Sequence, residues 1–328
     1  MKTRTMLFVT LLIISLAAAT AAPAQTSHQH RNGLSNVLNL LGLPNARPVH
    51  VIAAPHSVNP ATDPVALGLA GSKSYAFTTA DYPGAAYSLV LDTNLTTAVG
   101  AFAYDGSTLQ AFTLKGTTYK TLAVPGSTQS YAQGINTVGQ IVGVYIDALG
   151  TTHGFFDNAG AFATIDYPGS VVTGAVDIND AGQIVGRYVD SALHGYLYKS
   201  GVFTAINFPG SIGTSAQGIN SNGDIVGYWK DTAKVTHGYV LKGGTFTSLD
   251  FPLASYTSAQ GINDTGVIAG LYLDASGLQH GFTYSGGTFT RVDVVGASGS
   301  LLTRVKNNKT VTGGFVDVLT ELHGIKGH

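Results

Sequence analysis

A segment of about 42 residues recurs along this chain, and that period restricts the fold more than any other feature. Four copies align directly, at Gly134-Ile135-Asn136, Asp177-Ile178-Asn179, Gly218-Ile219-Asn220 and Gly261-Ile262-Asn263. Seven residues after each Asn stands a glycine (Gly143, Gly186, Gly227, Gly270), and four residues later an aspartate (Asp147, Asp190, Asp231, Asp274). A His-Gly-aromatic triplet follows, beginning at His153, His194, His237 and His280. The unit ends on an aromatic and a Pro-Gly turn, as in residues 162–169 (FATIDYPG) and 203–210 (FTAINFPG). Weaker copies flank these four. Gly100, Gln110 and Val124-Pro125-Gly126 fill the same offsets upstream, and Gly313, Asp317 and His323 fill them downstream.

Each unit reads as four short strands. In the unit that starts at Tyr131 they run Tyr131 to Asn136, Gln140 to Asp147, His153 to Asp157 and Ala161 to Asp166. The Asn-x-x-Gly step is a tight-turn signal, because Asn and Gly tolerate positive φ. The second strand is apolar on both faces, with Ile141, Val142, Val144, Tyr145 and Ile146, so it needs cover on both sides. The step from His153 to His194 is two residues shorter than the next two steps, and the missing pair falls between Asp190 and His194. A deletion tolerated there predicts a surface turn.

Four-stranded units that cover one another describe the blades of a β-propeller. Five complete units end near Gly296, and the tail supplies three strands of a sixth. The missing fourth strand has a candidate at the other end of the array, in residues 75–84 (YAFTTADYPG). The expected fold is therefore all-β, a six-bladed propeller over residues 72–328, closed by an N-terminal strand that completes the C-terminal blade. Closure removes the bare edges that an open array would expose.

The rest of the chain bears on location. Lys2 and Arg4, the apolar run from Met6 to Ala19 and Ala22-Pro23-Ala24 have the form of a secretory signal peptide, cut after Ala24. Residues 25–71 read as a flexible tether, in which Leu34 to Leu43 fits a short helix. A secreted or periplasmic protein is expected, monomeric and without a membrane span once the leader is removed. The chain has no cysteine, so neither disulfides nor a thiol nucleophile are available. Only 11% of residues are charged and the net charge is −1, which argues against nucleic acid as a partner. Arg304, Lys306 and Lys309 form a local basic group, expected to be solvated surface.

At the repeat residues the chain resembles the HAF-repeat family of extracellular bacterial proteins. The Ile-Asn start, the Gly-Gln-Ile-Val-Gly of residues 139–143 and 182–186, and the His-x-aromatic triplet carry the resemblance, which covers about Tyr75 to His328. The triplet here is His-Gly-Phe or His-Gly-Tyr where the family has His-Ala-Phe. The resemblance implies an extracellular repeat fold and carries no activity with it.

Repetition also separates architecture from chemistry. A group that recurs at one offset in every unit is needed by the fold, so His153, His194, His237, His280 and His323 are expected to be structural, bonded to turns or to Asp147, Asp190, Asp231, Asp274 and Asp317. Asn136, Asn179, Asn220 and Asn263 begin tight turns, and on channel-facing strands they could also ring one mouth and hold an ion or a small polar ligand. Positions that depart in a single unit are the ligand-binding candidates: Asp177 where other units have glycine, Arg187, Trp229 for tyrosine, and Lys230. The competing explanation for them is drift at tolerant positions. The N-terminal His28, His30, His50 and His56 lack metal-ligand spacing. Glu321 is the only glutamate, and no nucleophile elbow, zinc motif or phosphate loop occurs. The leading expectation is a binding module that presents propeller-face loops to a protein, glycan or small ligand, without cofactor. The alternative is a metal-dependent lyase or hydrolase with a divalent ion in the channel near Asp177.

Overall fold

Inner strands that bury every residue can exist only where each sheet has neighbours on both faces. The computed structural model describes residues 75–104, 108–317 and 322–327, and shows how the repeat meets that condition. The expected signal peptide, the tether with its helix, His28, His30, His50, His56 and Glu321 lie outside the described residues.

The described residues form 24 strands and no helix. Antiparallel pairing groups them into six four-stranded units, here blades 1 to 6. Blade 1 spans residues 87–121, blade 2 129–165, blade 3 172–206, blade 4 213–249 and blade 5 256–292. Blade 6 has three strands of its own, Gly299–Val305, Val311–Val316 and Leu322–Gly327. Its fourth is the N-terminal strand Phe77–Thr79, paired in the register Phe77 to Gly327 and Thr79 to Ile325. The expected closure is therefore present in the backbone. Observed strand bounds in blade 2, Gln129–Ile135 and Ile141–Ile146 for the inner pair, differ from the sequence reading by one or two residues. The shortened step ends in a surface turn, where Asp190 N–H bonds Ala192 O.

Neighbouring blades are joined in two ways. One is the closing motif. The ring of Tyr167, from the Pro-Gly turn after blade 2, stacks on Tyr188 of blade 3 at 3.6 Å and 3°. Phe208 does the same to Trp229 at 4.1 Å, Phe251 to Tyr272 at 3.6 Å, and Tyr82 to Phe102 at 3.6 Å. Such a pair contributes about 0.5–1.5 kcal/mol beyond its buried area. The N–H of each of these closing aromatics also donates to a hydroxyl six residues on, Thr173, Thr214, Thr257 or Ser88, at the start of the next blade. The other joint is close approach. A Cβ at Gly154 or Gly195, the glycine of the His-Gly-aromatic triplet, would lie 3.1 Å from the backbone nitrogen of Ala175 or Ala216 on the inner strand of the next blade.

The ring's seam has its own lock. Asp81, just after the closing strand, accepts a hydrogen bond from His323 Nδ1 at 2.9 Å and one from Gly324 N–H at 3.2 Å. Burial pushes the His323 imidazole down, but the hydrogen bond and charge of Asp81, with Asp317 behind, outweigh it and hold the group above its ordinary value. A raised imidazole stabilises the fold fully below its unfolded value of about 6.5 and loses that contribution as pH rises through the folded value. Asp81→Ala should therefore lower the urea midpoint most between about pH 5 and 6.5, and less on the alkaline side. A midpoint loss that grows toward alkaline pH would contradict this account of the seam.

Candidate functional site

The inner strand of every blade carries a β-bulge, between Val90 and Asp92, Ala132 and Gly134, Ala175 and Asp177, Ala216 and Gly218, Ala259 and Gly261, and Leu302 and Arg304. A bulge leaves one residue out of the ladder. The six such residues, Leu91, Gln133, Val176, Gln217, Gln260 and Thr303, surround a void of only about 10 Å³ together with Arg304. This is the channel axis, and it is filled.

Arg304 does the filling. It is 5% exposed, and its guanidinium donates to the carbonyls of Gln260 at 2.8 Å, Thr303 at 2.8 Å, Val176 at 2.9 Å and Gln133 at 3.3 Å. Three of those oxygens belong to other blades. The bulges free carbonyls toward the axis, and one fork-shaped cation satisfies four of them. Arg304 Nε lies 3.6 Å from Asp177 Oδ1. The expectation that Arg304 is solvated surface is thus corrected, since the repeat offset puts it on the channel-facing strand.

Asp177 is equally committed. Its two oxygens accept the N–H of Ile178 and, from blade 4, that of Ile219, both at 2.9 Å. Burial pushes this carboxyl above the usual carboxylate range, with Arg304 foremost among the groups that pull it back and Asp92 adding to the rise. The place beside Asp177 where the enzyme alternative puts a divalent ion is held by a guanidinium. Asp92 in blade 1, which the sequence reading passed over, is the register equivalent of Asp177. It is fully buried and bonds Thr93 N–H and Ile135 N–H of blade 2. Glycine at Gly134 and Gly261 makes room for these charged residues: a Cβ there would come within 2.9 Å of Asp177 Cα or Arg304 Cα.

Beyond the bulge lies the asparagine belt. Asn136 Nδ2 donates to Asn179 O at 3.3 Å, Asn179 to Asn220 O at 3.0 Å, Asn220 to Asn263 O at 3.1 Å, and Asn263 to Lys306 O at 3.3 Å. Asn94 of blade 1 donates to Asn136 O at 3.0 Å. In blade 6 the position belongs to Lys306, whose ammonium reaches Asp92 of blade 1 at 2.6 Å and completes the circle. Each amide oxygen of the other four asparagines also accepts an N–H four residues on, as Gln140 N–H to Asn136. The turn role and the ring role expected of these residues coexist. Their side chains line the mouth, but their hydrogen-bonding groups are spent on the ring itself.

That mouth is a concavity of about 380 Å³. Its floor is apolar, from Ile135, Ile178, Ile219 and Ile262, and its rim is polar, with Thr137, Asp180, Ser221, Asp264, Asn307 and Asn308. The rim is tied across blades: Asp180 accepts Thr137 N–H, Asp264 accepts Ser221 N–H, and Asn307 accepts Asp264 N–H. Asp264 is pushed up by burial, yet sits below its ordinary value because Ser221 N–H and Asn307 bond it. Lys306 and Lys326 bring positive charge to the same wall.

The histidines lie at the opposite ends of the blades. His153 Nδ1 bonds Asp166 at 2.8 Å while its Nε2 faces Asp147 at 3.5 Å, and its ring stacks on Tyr145. The pattern recurs at His237 with Asp250 and Asp231, at His280 with Asp293 and Asp274, and at His323 with Asp81 and Asp317. At His194 the partners are Asn207 and Asp190. The preceding-strand aspartate was expected. The second partner was missed, although its offset of 13 residues after the histidine is constant in blades 2 to 5. Blade 1 lost the set together, with Tyr104, Gln110 and Ala123 in the three places.

The other single-blade candidates do not gather at one site. Arg187 pairs in the ladder with Gly174 and Gly195 and bonds the buried Tyr131 of blade 2. Trp229 takes the tyrosine's place in the interblade stack, between Phe208 and His237. Lys230 ends the same strand, exposed, away from the mouth.

Among solved structures the chain is similar to AofleA from Arthrobotrys oligospora, at 15% identity over 77% of this chain and 86% of that one, with a TM-score of 0.50. It is also similar to TolB from Acinetobacter baumannii, at 12% identity over 71% of this chain and 64% of that one, TM-score 0.50. The β-propeller domain of the Trilobed protease from Pyrococcus furiosus matches at 10% identity over 74% and 94%, TM-score 0.48. Six four-stranded blades closed into a ring make the fold a β-propeller. No family model and no curated protein matches the chain.

Arg304→Met keeps much of the side chain's bulk but leaves four carbonyls and Asp177 without their cation. Removing one partner of a buried ion pair costs about 3–5 kcal/mol, so chemical denaturation should show a loss of that size. A variant within 1 kcal/mol of the parent, about the spread of a surface change, would mean that Arg304 does not hold the axis.

Proposed function

We propose that this chain is an exported binding module of the HAF-repeat kind, and that its ligand seats in the mouth ringed by the asparagine turns. One observation carries the reading. With the axis filled by Arg304, the remaining concavity is a closed-floored cup of about 380 Å³, within the size range of small-ligand pockets. Its chemistry suits a hydroxyl-rich ligand such as a saccharide unit. The rim alternates hydroxyl, amide and carboxylate groups, Asp180 and Asp264 are matched by Lys306 and Lys326, and an apolar floor lies under the polar edge. Such a ligand presents donors, acceptors and an apolar face together. The rim loops are fixed by interblade hydrogen bonds, which reduces the ordering cost of binding. A role in catalysis has no comparable support, because the axial acid Asp177 has its oxygens engaged.

Screening of saccharides by thermal shift, with Ser221→Trp as the blocking variant, tests the reading. Ser221 is exposed on the rim and its backbone N–H carries the bond to Asp264, so a large side chain should obstruct the cup while the rim stays tied. A saccharide that stabilises the parent should bind at least about tenfold more weakly to the variant, a change of about 1.4 kcal/mol. Equal binding by both proteins would place the ligand elsewhere.

A further inference from the structure

Blade 4 departs from its neighbours at the end opposite the mouth. In the turn after its second strand, Lys234 has φ +68°, where the matching turns of blades 2 and 5 hold Gly150 at 82° and Gly277 at 84°. In the loop that leaves its outer strand, Leu253 has φ +62°, where the other loops hold Gly84, Gly126, Gly169, Gly210 and Gly296 at 75–81°. Left-handed backbone disfavours any residue with a Cβ. No internal gap accounts for the leucine, since a Cβ at Gly126, Gly169, Gly210 or Gly296 would meet nothing within 4 Å. Leu253 itself is 74% exposed. A left-handed leucine whose side chain is mostly exposed points to a use outside the chain.

Its surroundings say what use. Thr236 pairs with Tyr256 and Lys230 with both Thr236 and Gly213, so Ile212, Lys230, Val235 and the loop of Leu253 lie around one blade end. Ile212 and Val235 are exposed apolar side chains there, with Leu253 the most exposed of the three. Both signs of charge stand at the edge. Asp231 and Asp250 are held by His237, and among the described residues Lys230 and Lys234 form no ion pair with them. An apolar centre edged by lysines, and by carboxylates that pair with a histidine rather than with those lysines, is complementary to itself when rotated by a two-fold axis. We propose that this end of blade 4 is a self-association surface, where a second copy packs Leu253 against the same patch and places its aspartates near Lys230 and Lys234. The surface is independent of the mouth.

Light scattering and sedimentation equilibrium of the full-length chain from about 1 to 100 µM, a range that spans ordinary weak association, provide the test. The parent should show a reversible dimer. Leu253→Gly, which restores the residue of the other five loops, should weaken dimerisation at least about tenfold while its melting temperature at the lowest concentration is equal or higher. Lys230→Glu with Lys234→Glu should also weaken it. A parent that stays monomeric throughout, a dimer unchanged by Leu253→Gly, or capture of an acidic peptide without self-association overturns the proposal.

Discussion

The three-residue strand Phe77–Thr79 holds the rest of this structure to its shape, because it turns a row of blades into a ring. Without it, the last blade would lack its fourth strand, and no backbone pairing would tie the N-terminal end of the array to the C-terminal end. The two ends also meet in the core, where Leu89 of blade 1 and Leu301 and Leu322 of blade 6 share one buried cluster. Thr303 Oγ1 also reaches Val90 O across the seam. Closure fixes the distance across the axis, and that distance lets a single arginine touch four carbonyls. The interior follows from the ring.

Within that ring, symmetry and its breaking divide the labour. The repeated parts, the bulge, the asparagine turn, the aromatic stack and the His-carboxylate set, join each blade to the next by the same few contacts. The unrepeated parts lie where six equal copies could not all fit or could not balance charge. One arginine fills an axis that has no room for a second, and Asp177 and Asp92 answer the charge that Arg304 and Lys306 bring. The mouth inherits this asymmetry, since its blade 6 sector carries lysine where the others carry asparagine.

Much of this was legible in the sequence, and the limit of legibility is physical. Strands, turns and closure depend on local chemistry and on the period, so residues 162–169 already announced an outer strand and a turn, and residues 75–84 an orphan copy of it. Axial contacts join residues far apart along the chain: Arg304 to Val176 is separated by 128 positions and to Gln133 by 171. Nothing local marks such a pair. A signal did exist, since Arg304, Asp177 and Asp92 share one register in a strand otherwise filled there by glycine. The second partner of the histidines in blades 2 to 5, an aspartate or Asn207, was equally within reach, at a fixed offset hidden inside the closing motif. Trp229 shows how little rarity says by itself. It marked the residue as a ligand-binding candidate, and the structure shows it in the tyrosine's place in the interblade stack.

A binding reading of the mouth is only as good as the ring that forms it. Hydrogen exchange read by mass spectrometry on the peptide that contains Phe77–Thr79 addresses the ring directly, because amides paired in a closed blade open only with larger unfolding. The account predicts that these amides are protected to the same degree as those of Leu322–Gly327, to which they are paired. Exchange of that segment within seconds, beside slow exchange in the rest of blade 6, would contradict it.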